Sequence, residues 1–487
     1  MKTGVFVATR RSLLAMVLVA TGVHAQGPPV SADRPWHGAD ERGLAAEAGR
    51  FRPQRYRIDS GKTYSLAELI DLAEAHNPET RVAWENARAQ AAGLGIARSE
   101  LYPALSAAAL SGVDREEVPL GTRFYRFTDS AFELSLDLSY TILDFGARRG
   151  RIDAQSARVL ASNFAFNDEH RKLIYEVQQA YYRLLNATAQ EAAARASLTN
   201  AQAVEQAAEE RLRNGLATLP DVLEARSAKA QSQYDLQAVL GAEQIARGDL
   251  ATALGTSVAT AIRIQPLDET PEPGSAGDTV EKAIDRALNQ RPDLEEQVAA
   301  IRESNAQSKE ARAAYYPTLS VRANPSAQSL FFTQQNLPSG HTADLTGSVA
   351  LSLNWTVFDG GARKSRVAEA EARIRQAEAQ VSAARDQIED EVWAAYANVN
   401  TAFRQREAAG SLLEASTQSY SAALESYNYG VRNLLDVTAA QKVLAQARSA
   451  DIQARTQVLA SLSELAFRAG DLIQTGVPQT GKAAPHP

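Results

Sequence analysis

The chain contains no cysteine among its 487 residues. That excludes a disulfide framework, a thiol nucleophile and a lipidated N-terminal cysteine. Beyond the first 25 residues no stretch approaches the roughly 18 continuous apolar residues of a spanning helix. Any part that crosses a membrane must therefore be a β-barrel. Histidine is sparse: His24, His37, His76, His170, His341 and His486, no two at metal-ligand spacing. A Gly-x-x-x-x-Gly-Lys-Ser/Thr phosphate loop and a Gly-x-Ser-x-Gly elbow are both missing. No long basic block interleaves with aromatics, so nucleic acid is not an expected partner. No catalytic, cofactor-binding or metal residue is expected, and the chain does not read as an enzyme.

The N-terminus is informative. Lys2, Arg10 and Arg11 precede an apolar run from Leu13 to Val19 and then Val23-His24-Ala25. Positive start, short apolar core and small residue are the marks of a secretory signal peptide over 1–25. Losing those three basic residues takes the formal charge from −7 to about −10. Hydrophobic residues make up 45% at a mean hydropathy of −0.30, which suits a soluble helical protein. A β-barrel is equally compatible, because its strands are apolar only at alternate positions.

The chain is one large unit written twice. Pro78 matches Pro292, and Tyr102-Pro103 matches Tyr316-Pro317, at an offset of 214. Asp144-Phe145-Gly146-Ala147-Arg148 then matches Asp359-Gly360-Gly361-Ala362-Arg363 at 215, as Gly215 does Gly430, Asp221 does Asp436 and Gly255 does Gly470. The expected organisation is a signal peptide (1–25), an N-terminal extension (26–62) rich in proline and charge, repeats at 63–278 and 279–472, and a tail (473–487). The end of the first repeat, 256–278, reads as irregular.

Each repeat opens with a helical pattern of about 40 residues, in which Leu66, Leu69, Ile70 and Ala73 share a face, ended by Tyr-Pro. A strict alternation follows. Phe132, Leu134, Leu136, Leu138, Tyr140 and Ile142 face one way, with Glu133, Ser135, Asp137, Ser139 and Thr141 opposite. In the second repeat Val349, Leu351, Leu353, Trp355 and Val357 form the apolar side. Period two with a polar reverse face is a half-buried strand, and it suits lipid on one side and a watery lumen on the other. Tyr140 and Trp355 hold equivalent positions where an interfacial aromatic belt would lie. Partner strands are expected near 104–113 and 318–328, with loops at 114–129 and 329–344 around Pro119, Gly121, Pro338 and Gly340. Four strands cannot close a barrel, so this reading requires an oligomer.

Proline-free helical patterns follow each strand over about 147–212 and 362–428, end at Gly215 and Gly430, and return over about 221–254 and 435–469. About 65 residues span roughly 100 Å of helix, more than a globular domain needs. Val437, Leu444, Val458 and Leu465 recur at multiples of seven, interrupted by Asp451, as in a coiled-coil hairpin. Asp144, Gly146, Asp359 and Gly361 read as strand-to-helix turn residues.

This order, twice over about 63–472, resembles the TolC-like outer membrane efflux protein family. The carriers are Asn77-Pro78 and Arg291-Pro292, the Tyr-Pro pairs, Asp-Phe-Gly and Asp-Gly-Gly, and the two tips, Arg211 to Leu223 and Tyr427 to Val437. The resemblance implies a mainly α fold with a transmembrane β part. Three subunits would supply a twelve-strand barrel continued by a long α-helical coiled-coil barrel in the periplasm of a Gram-negative bacterium. It implies a passive channel for efflux or type I secretion, a periplasmic adaptor, and an inner-membrane pump reached through it. It places Arg211, Gly215, Leu216, Gly430 and Val431 at adaptor-contacting tips. It makes Asp221, Tyr427 and Arg432 latch residues, and Asp436 an acidic ring that narrows the pore. Two positions depart from the family pattern: Ala439 replaces a second acidic ring residue, and Pro220 replaces a threonine before Asp221. Asp221 and Asp436 also sit where helix N-caps are needed, and both roles are compatible. The rival reading is a periplasmic coiled-coil protein, structural or adaptor-like, without a pore.

Overall fold

The computed structural model describes residues 41–50, 56, 58–120, 122–266, 279–335 and 338–472. The expected signal peptide, the tail 473–487 and most of the 26–62 extension lie outside them. The chain divides into two units, Met1–Tyr56 and Arg57–Pro487. The first contains one described helix, α1 (Glu41–Arg50). Everything that follows belongs to the second.

Its elements run in two matching series. The first is β1 (Thr63–Tyr64), α2 (Leu66–His76), α3 (Pro78–Ser99), β2 (Ala104–Leu120), β3 (Arg123–Leu143), α4 (Ala147–Arg213) and α5 (Leu219–Ala253). The second is β4 (Arg263–Ile264), α6 (Val280–Gln290), α7 (Pro292–Ala313), β5 (Thr318–Gln334), β6 (Gly340–Asn354), α8 (Ala362–Asn428) and α9 (Leu434–Ala469). The long helices α4 and α8 have 67 residues each. No described helix is long and apolar enough to cross a membrane.

Both openings of about 40 helical residues are broken in two, against expectation. Pro78 and Pro292 occupy the first position of α3 and α7, where the missing N–H costs nothing, and they hold Asn77 and Arg291 in extended conformation. The break joins helices end to end. Asn77 Oδ1 accepts the Glu79 N–H at 2.7 Å, and Asn77 Nδ2 donates to the Ala253 carbonyl at the end of α5 at 3.2 Å. One amide thus satisfies the start of α3 and the end of α5. Arg291 performs the same splice between α7 and α9 with different chemistry. Its guanidinium donates to Asp293 (2.7 Å), to Glu391 on α8 (2.8 Å) and to the Arg468 carbonyl on α9 (3.4 Å).

The sheet order is β2-β3-β5-β6, antiparallel throughout. The expected loops at 114–129 and 329–344 are largely strand: the register runs from Ala104↔Ser139 to Leu120↔Arg123, and from Thr318↔Asn354 to Phe332↔Gly340. The apolar alternation ends well before the strands do, whereas backbone pairing continues. On the face carrying Phe132 to Ile142, the outward continuation is Ser130, Thr128 and Arg126, with Phe124 at the strand's end, and Arg126 pairs with Glu117 at 3.9 Å. At the other end β6 stops at Asn354, so Trp355 and Val357 lie past the strand. β2 and β6 are the free edges.

Long helices pack by small residues. Buried positions of α4 and α8 include Ala154, Ala157, Ala180, Ala201 and Ala208, and Ala370, Ala377, Ala395 and Ala402. The seam between α4 and α9 is polar. Asn186 donates to Thr456 (2.6 Å), Gln190 to the Ser449 carbonyl (2.9 Å) and Gln179 to the Ala460 carbonyl (3.1 Å). Val437, Leu444 and Val458 are buried as the heptad requires, and Asp451 is buried among them with Arg455 at 2.9 Å. Near the helix breaks the repeats have equivalent cores: Leu69, Ala73, Leu173 and Val177 in one, Ala283, Ala287, Ile388 and Val392 in the other.

The two splices differ in what their loss exposes. Asn77→Ala removes a cap and is expected to cost about 1 kcal/mol. Arg291→Ala removes the nearer cation of both carboxylates, leaving Asp293 to Arg171 at 3.5 Å and Glu391 to Arg468 at 3.0 Å, and is expected to cost about 3 kcal/mol. Unfolding midpoints of the detergent-solubilised variants check this order.

Candidate functional site at the strand–helix junctions and helical tips

At each junction an aspartate folds the chain from strand into helix. Asp144 accepts from the Gly146 N–H (3.3 Å), the Arg148 N–H (2.9 Å) and Arg148 Nε (2.7 Å). Asp359 repeats this with Gly361 (3.1 Å) and with Arg363 N–H and Nε (both 2.9 Å). Burial alone would raise the Asp144 carboxyl, but the hydrogen bonds and charge of Arg148 outweigh it and hold it below its ordinary range. The arginines also hold the chain leading into each junction: Arg148 reaches the Ile142 carbonyl of β3 and the Glu100 carbonyl at the end of α3, and Arg363 the Val357 carbonyl just past β6.

Aromatic rings gather at this level. Arg148 lies over Tyr140 at 5.8 Å, and Arg363 over Tyr315 at 5.4 Å. Trp355 Nε1 donates to the Tyr315 carbonyl at 3.2 Å. Phe145 stacks on Tyr316 at 5.0 Å, and Tyr102, Tyr316 and Phe358 are exposed. Strand alternation points to Tyr140 and Trp355; Tyr102 and Tyr316, in the Tyr-Pro pairs that end the helices, lie outside that pattern and carry no alternation signal.

At the opposite end of the long helices, α4 turns into α5 and α8 into α9. Gly215 (φ +71°) and Gly430 (φ +76°) take the left-handed conformation that ends a helix. The Leu216 N–H returns to the Arg211 carbonyl, and the Val431 N–H to the Ser426 carbonyl. Below the turns one apolar cluster unites all four helices: Val204 and Ala208 (α4), Val222 and Ala225 (α5), Ala423 and Tyr427 (α8), Leu434 and Val437 (α9).

Asp221 is the capping-box residue of α5. It accepts from the Thr218 N–H (2.8 Å) and Thr218 Oγ1 (2.7 Å). These bonds hold its carboxyl below the ordinary range. Asp436 lies in the first turn of α9, where its N–H donates to Asn433 Oδ1 at 3.0 Å, so the cap there is Asn433. Arg432 is exposed beside it. Within the chain, the Asp221 carboxylate bonds neither Tyr427 nor Arg432. Tyr427 is instead 4% exposed, its hydroxyl is without a hydrogen-bond partner, and burial pushes its phenol above the ordinary range. Leu216 and Val431 are exposed, as tip contacts need to be, and so are Leu219, Leu223, Tyr429 and Leu435, which sequence reasoning passed over. Arg211 turns inward onto Tyr427.

The profile of the outer membrane efflux protein family matches residues 69–256 and 283–471. The chain belongs to that family. It is 28% identical over 415 residues to protein CyaE of Bordetella pertussis, covering 84% of this chain and 85% of that one. It is 26% identical over 437 residues to outer membrane protein OprJ of Pseudomonas aeruginosa, covering 89% and 88%. A crystal structure of a membrane protein from Pseudomonas aeruginosa superposes with a TM-score of 0.72 at 26% identity, over 86% of this chain and 99% of that one. Family members are channel proteins of the outer membrane, and this chain is an outer-membrane efflux channel subunit.

The capping box makes a local prediction. Thr218→Ala removes the hydroxyl that holds Asp221 and is expected to weaken the first turn of α5 by about 1 kcal/mol. The readout is faster amide exchange confined to residues 219–225. Because the folded Asp221 titrates below its unfolded value, its contribution is present above the ordinary carboxylate range. It is lost as pH falls through the depressed value. Exchange over the same residues should therefore accelerate on acidification in wild type more than in the variant, once corrected for intrinsic rates.

Proposed function

We propose that three copies of this chain form a passive duct through the outer membrane. An inner-membrane pump feeds it by way of a periplasmic adaptor docked on the helical tips. The carrying observation is the four-stranded sheet with both edges free. Open edges are not tolerated in hydrocarbon. Two copies would give eight strands, whose interior side chains fill; three give twelve and leave a lumen. The polar reverse face supports this, since Ser326 donates to Glu133 (2.7 Å) and Asn324 to Asp137 across β5 and β3. The exposed Leu216, Leu219, Tyr429 and Val431 offer an adaptor an apolar footing. Asp436, repeated three times about the axis, would form a ring that favours cations. Energy and selectivity then belong to the pump.

Planar-bilayer recording on the purified trimer is expected to show discrete, cation-preferring steps, with the preference reduced in Asp436→Asn. A monomer without conductance would overturn the duct in favour of a soluble coiled-coil scaffold.

The duplication also specifies how copies join. The first hairpin maps onto the second with β2 to β5 at an offset of 214 and β3 to β6 at 215. The internal pair Leu134↔Ala327 then becomes Val349 against Val113 of the next copy. This register keeps both on the lipid side; a one-residue slip would put apolar side chains in the lumen. In the cysteine-free chain, Val113→Cys with Val349→Cys is expected to cross-link neighbouring subunits on oxidation, the separation of facing residues being within disulfide reach. Val113→Cys with Ser348→Cys, on opposite faces, should not.

A further inference from the structure

The tip of this subunit is tied together by a residue that neither the latch nor the ring employs. Arg211, in the last turn of α4, sends Nη1 to the Tyr427 carbonyl at 2.7 Å and to the Asn428 carbonyl at 3.4 Å. These are the final carbonyls of α8, where the helix dipole favours a cation; the Tyr427 carbonyl also takes the Gly430 N–H at 2.9 Å, so the guanidinium is its second donor. The guanidinium also lies over the Tyr427 ring, 4.5 Å from its centre. That ring is buried in the cluster shared by α4, α5, α8 and α9. Higher up, Asn186 to Thr456 and Gln190 to Ser449 join α4 to α9. Arg211 instead reaches α8 and holds the end of the second hairpin by its backbone.

The neighbouring groups are placed so that they do not substitute for it. The Asp221 carboxylate is occupied by Thr218. Position 220 is proline and offers no hydroxyl. The Tyr427 hydroxyl and Arg211 Nε are both buried without a partner. A tyrosine held by its ring and carbonyl, with its hydroxyl idle, is a packing surface for the guanidinium.

We propose that Arg211 is the positioning residue that keeps the tip closed, by clamping the end of α8 to the end of α4 within each subunit. The proposal rests on the duct reading above. Moving the α8–α9 tip, which carries Asp436, away from the α4–α5 tip requires the guanidinium to give up both carbonyls and the ring. Closure then depends on the arginine fork and is indifferent to the tyrosine hydroxyl.

Single-channel recording on wild-type, Arg211→Gln, Arg211→Lys and Tyr427→Phe trimers tests this. Arg211→Gln is expected to shift the open-to-closed ratio toward open by roughly tenfold, the scale of one charge-assisted hydrogen bond. Arg211→Lys, which keeps the charge and one donor, should fall between it and wild type. Tyr427→Phe, which keeps ring and carbonyl, should close as wild type does. Opening in Tyr427→Phe with no change in Arg211→Gln would overturn the clamp and return closure to the hydroxyl. If Arg211→Gln does not assemble, Arg211→Lys decides by the same criterion, wild-type closure overturning the clamp. A wild-type trimer without any channel steps overturns the duct and the clamp with it; normal wild-type steps with all variants unchanged overturn the clamp alone.

Discussion

Hydrocarbon offers no hydrogen bonds, so every backbone N–H and C=O that enters it must find a partner within the protein. That requirement governs the rest of the molecule. Four strands satisfy their inner neighbours and leave two rows of unpaired groups, along β2 and β6. The subunit is therefore incomplete by construction. Each strand is continued by one helix: α3 into β2, β3 into α4, α7 into β5, β6 into α8. The number of strands thus sets the number of helices that must leave the barrel. The Asn77 and Arg291 splices prolong the entering helices, joining α3 to α5 and α7 to α9, while α4 and α8 run unbroken.

The helical part solves a different problem. It surrounds water, so it has no lipid to drive its assembly, and its contacts are small residues and amide side chains where a globular core would use leucine. Burying alanine gains little per residue, but it lets long helices run close and straight. The polar seam between α4 and α9 gives direction without a deep apolar lock, and carbonyl acceptors recur along any helix. The apolar clusters are confined to the helix breaks and the tips. Buried charge follows the same division. Arg171 on α4 is held by Asp168 (2.6 Å) and the Phe467 carbonyl (3.0 Å), and Asp293 stands 3.5 Å away, linking it to the Arg291 splice. Position 176 of the first repeat, equivalent to Glu391, has no such arginine, and burial with the nearby Glu79 and Glu169 raises the Glu176 carboxyl. The two repeats share a backbone plan and differ in electrostatics.

Much of this was legible in the residues. The duplication, the helical spans of about 147–212 and 362–428, the glycine turns and the Asp-x-Gly-Ala-Arg corners all follow from local rules of period, proline and glycine. Three kinds of feature were not legible. Alternation reports the solvent on each face, so strand beyond the lipid, at 114–120 and 123–129, looked like loop. Proline marks where a helical pattern can break, but what the break is used for depends on distant partners, as Asn77 and Arg291 show through groups 176 and 177 residues away. The inward turn of Arg211 depends on a carbonyl 216 residues further on, which the family resemblance that places it at the adaptor-contacting tip does not convey. In each case the deciding partner is distant in sequence.

The length of the strands has a consequence for what leaves the channel. β3 has 21 residues, of which the stretch from Phe132 to Ile142 carries the apolar face. The remaining nine or so, tilted as barrel strands are, lift the rim roughly 20–25 Å above the hydrocarbon. A compound that partitions readily into lipid and emerged flush with the bilayer would re-enter it as fast as it was expelled. Discharged from a raised rim, it is diluted into bulk water before it meets lipid again. The barrel then works as a chimney, and the height of its wall bears on net export as directly as the width of its bore.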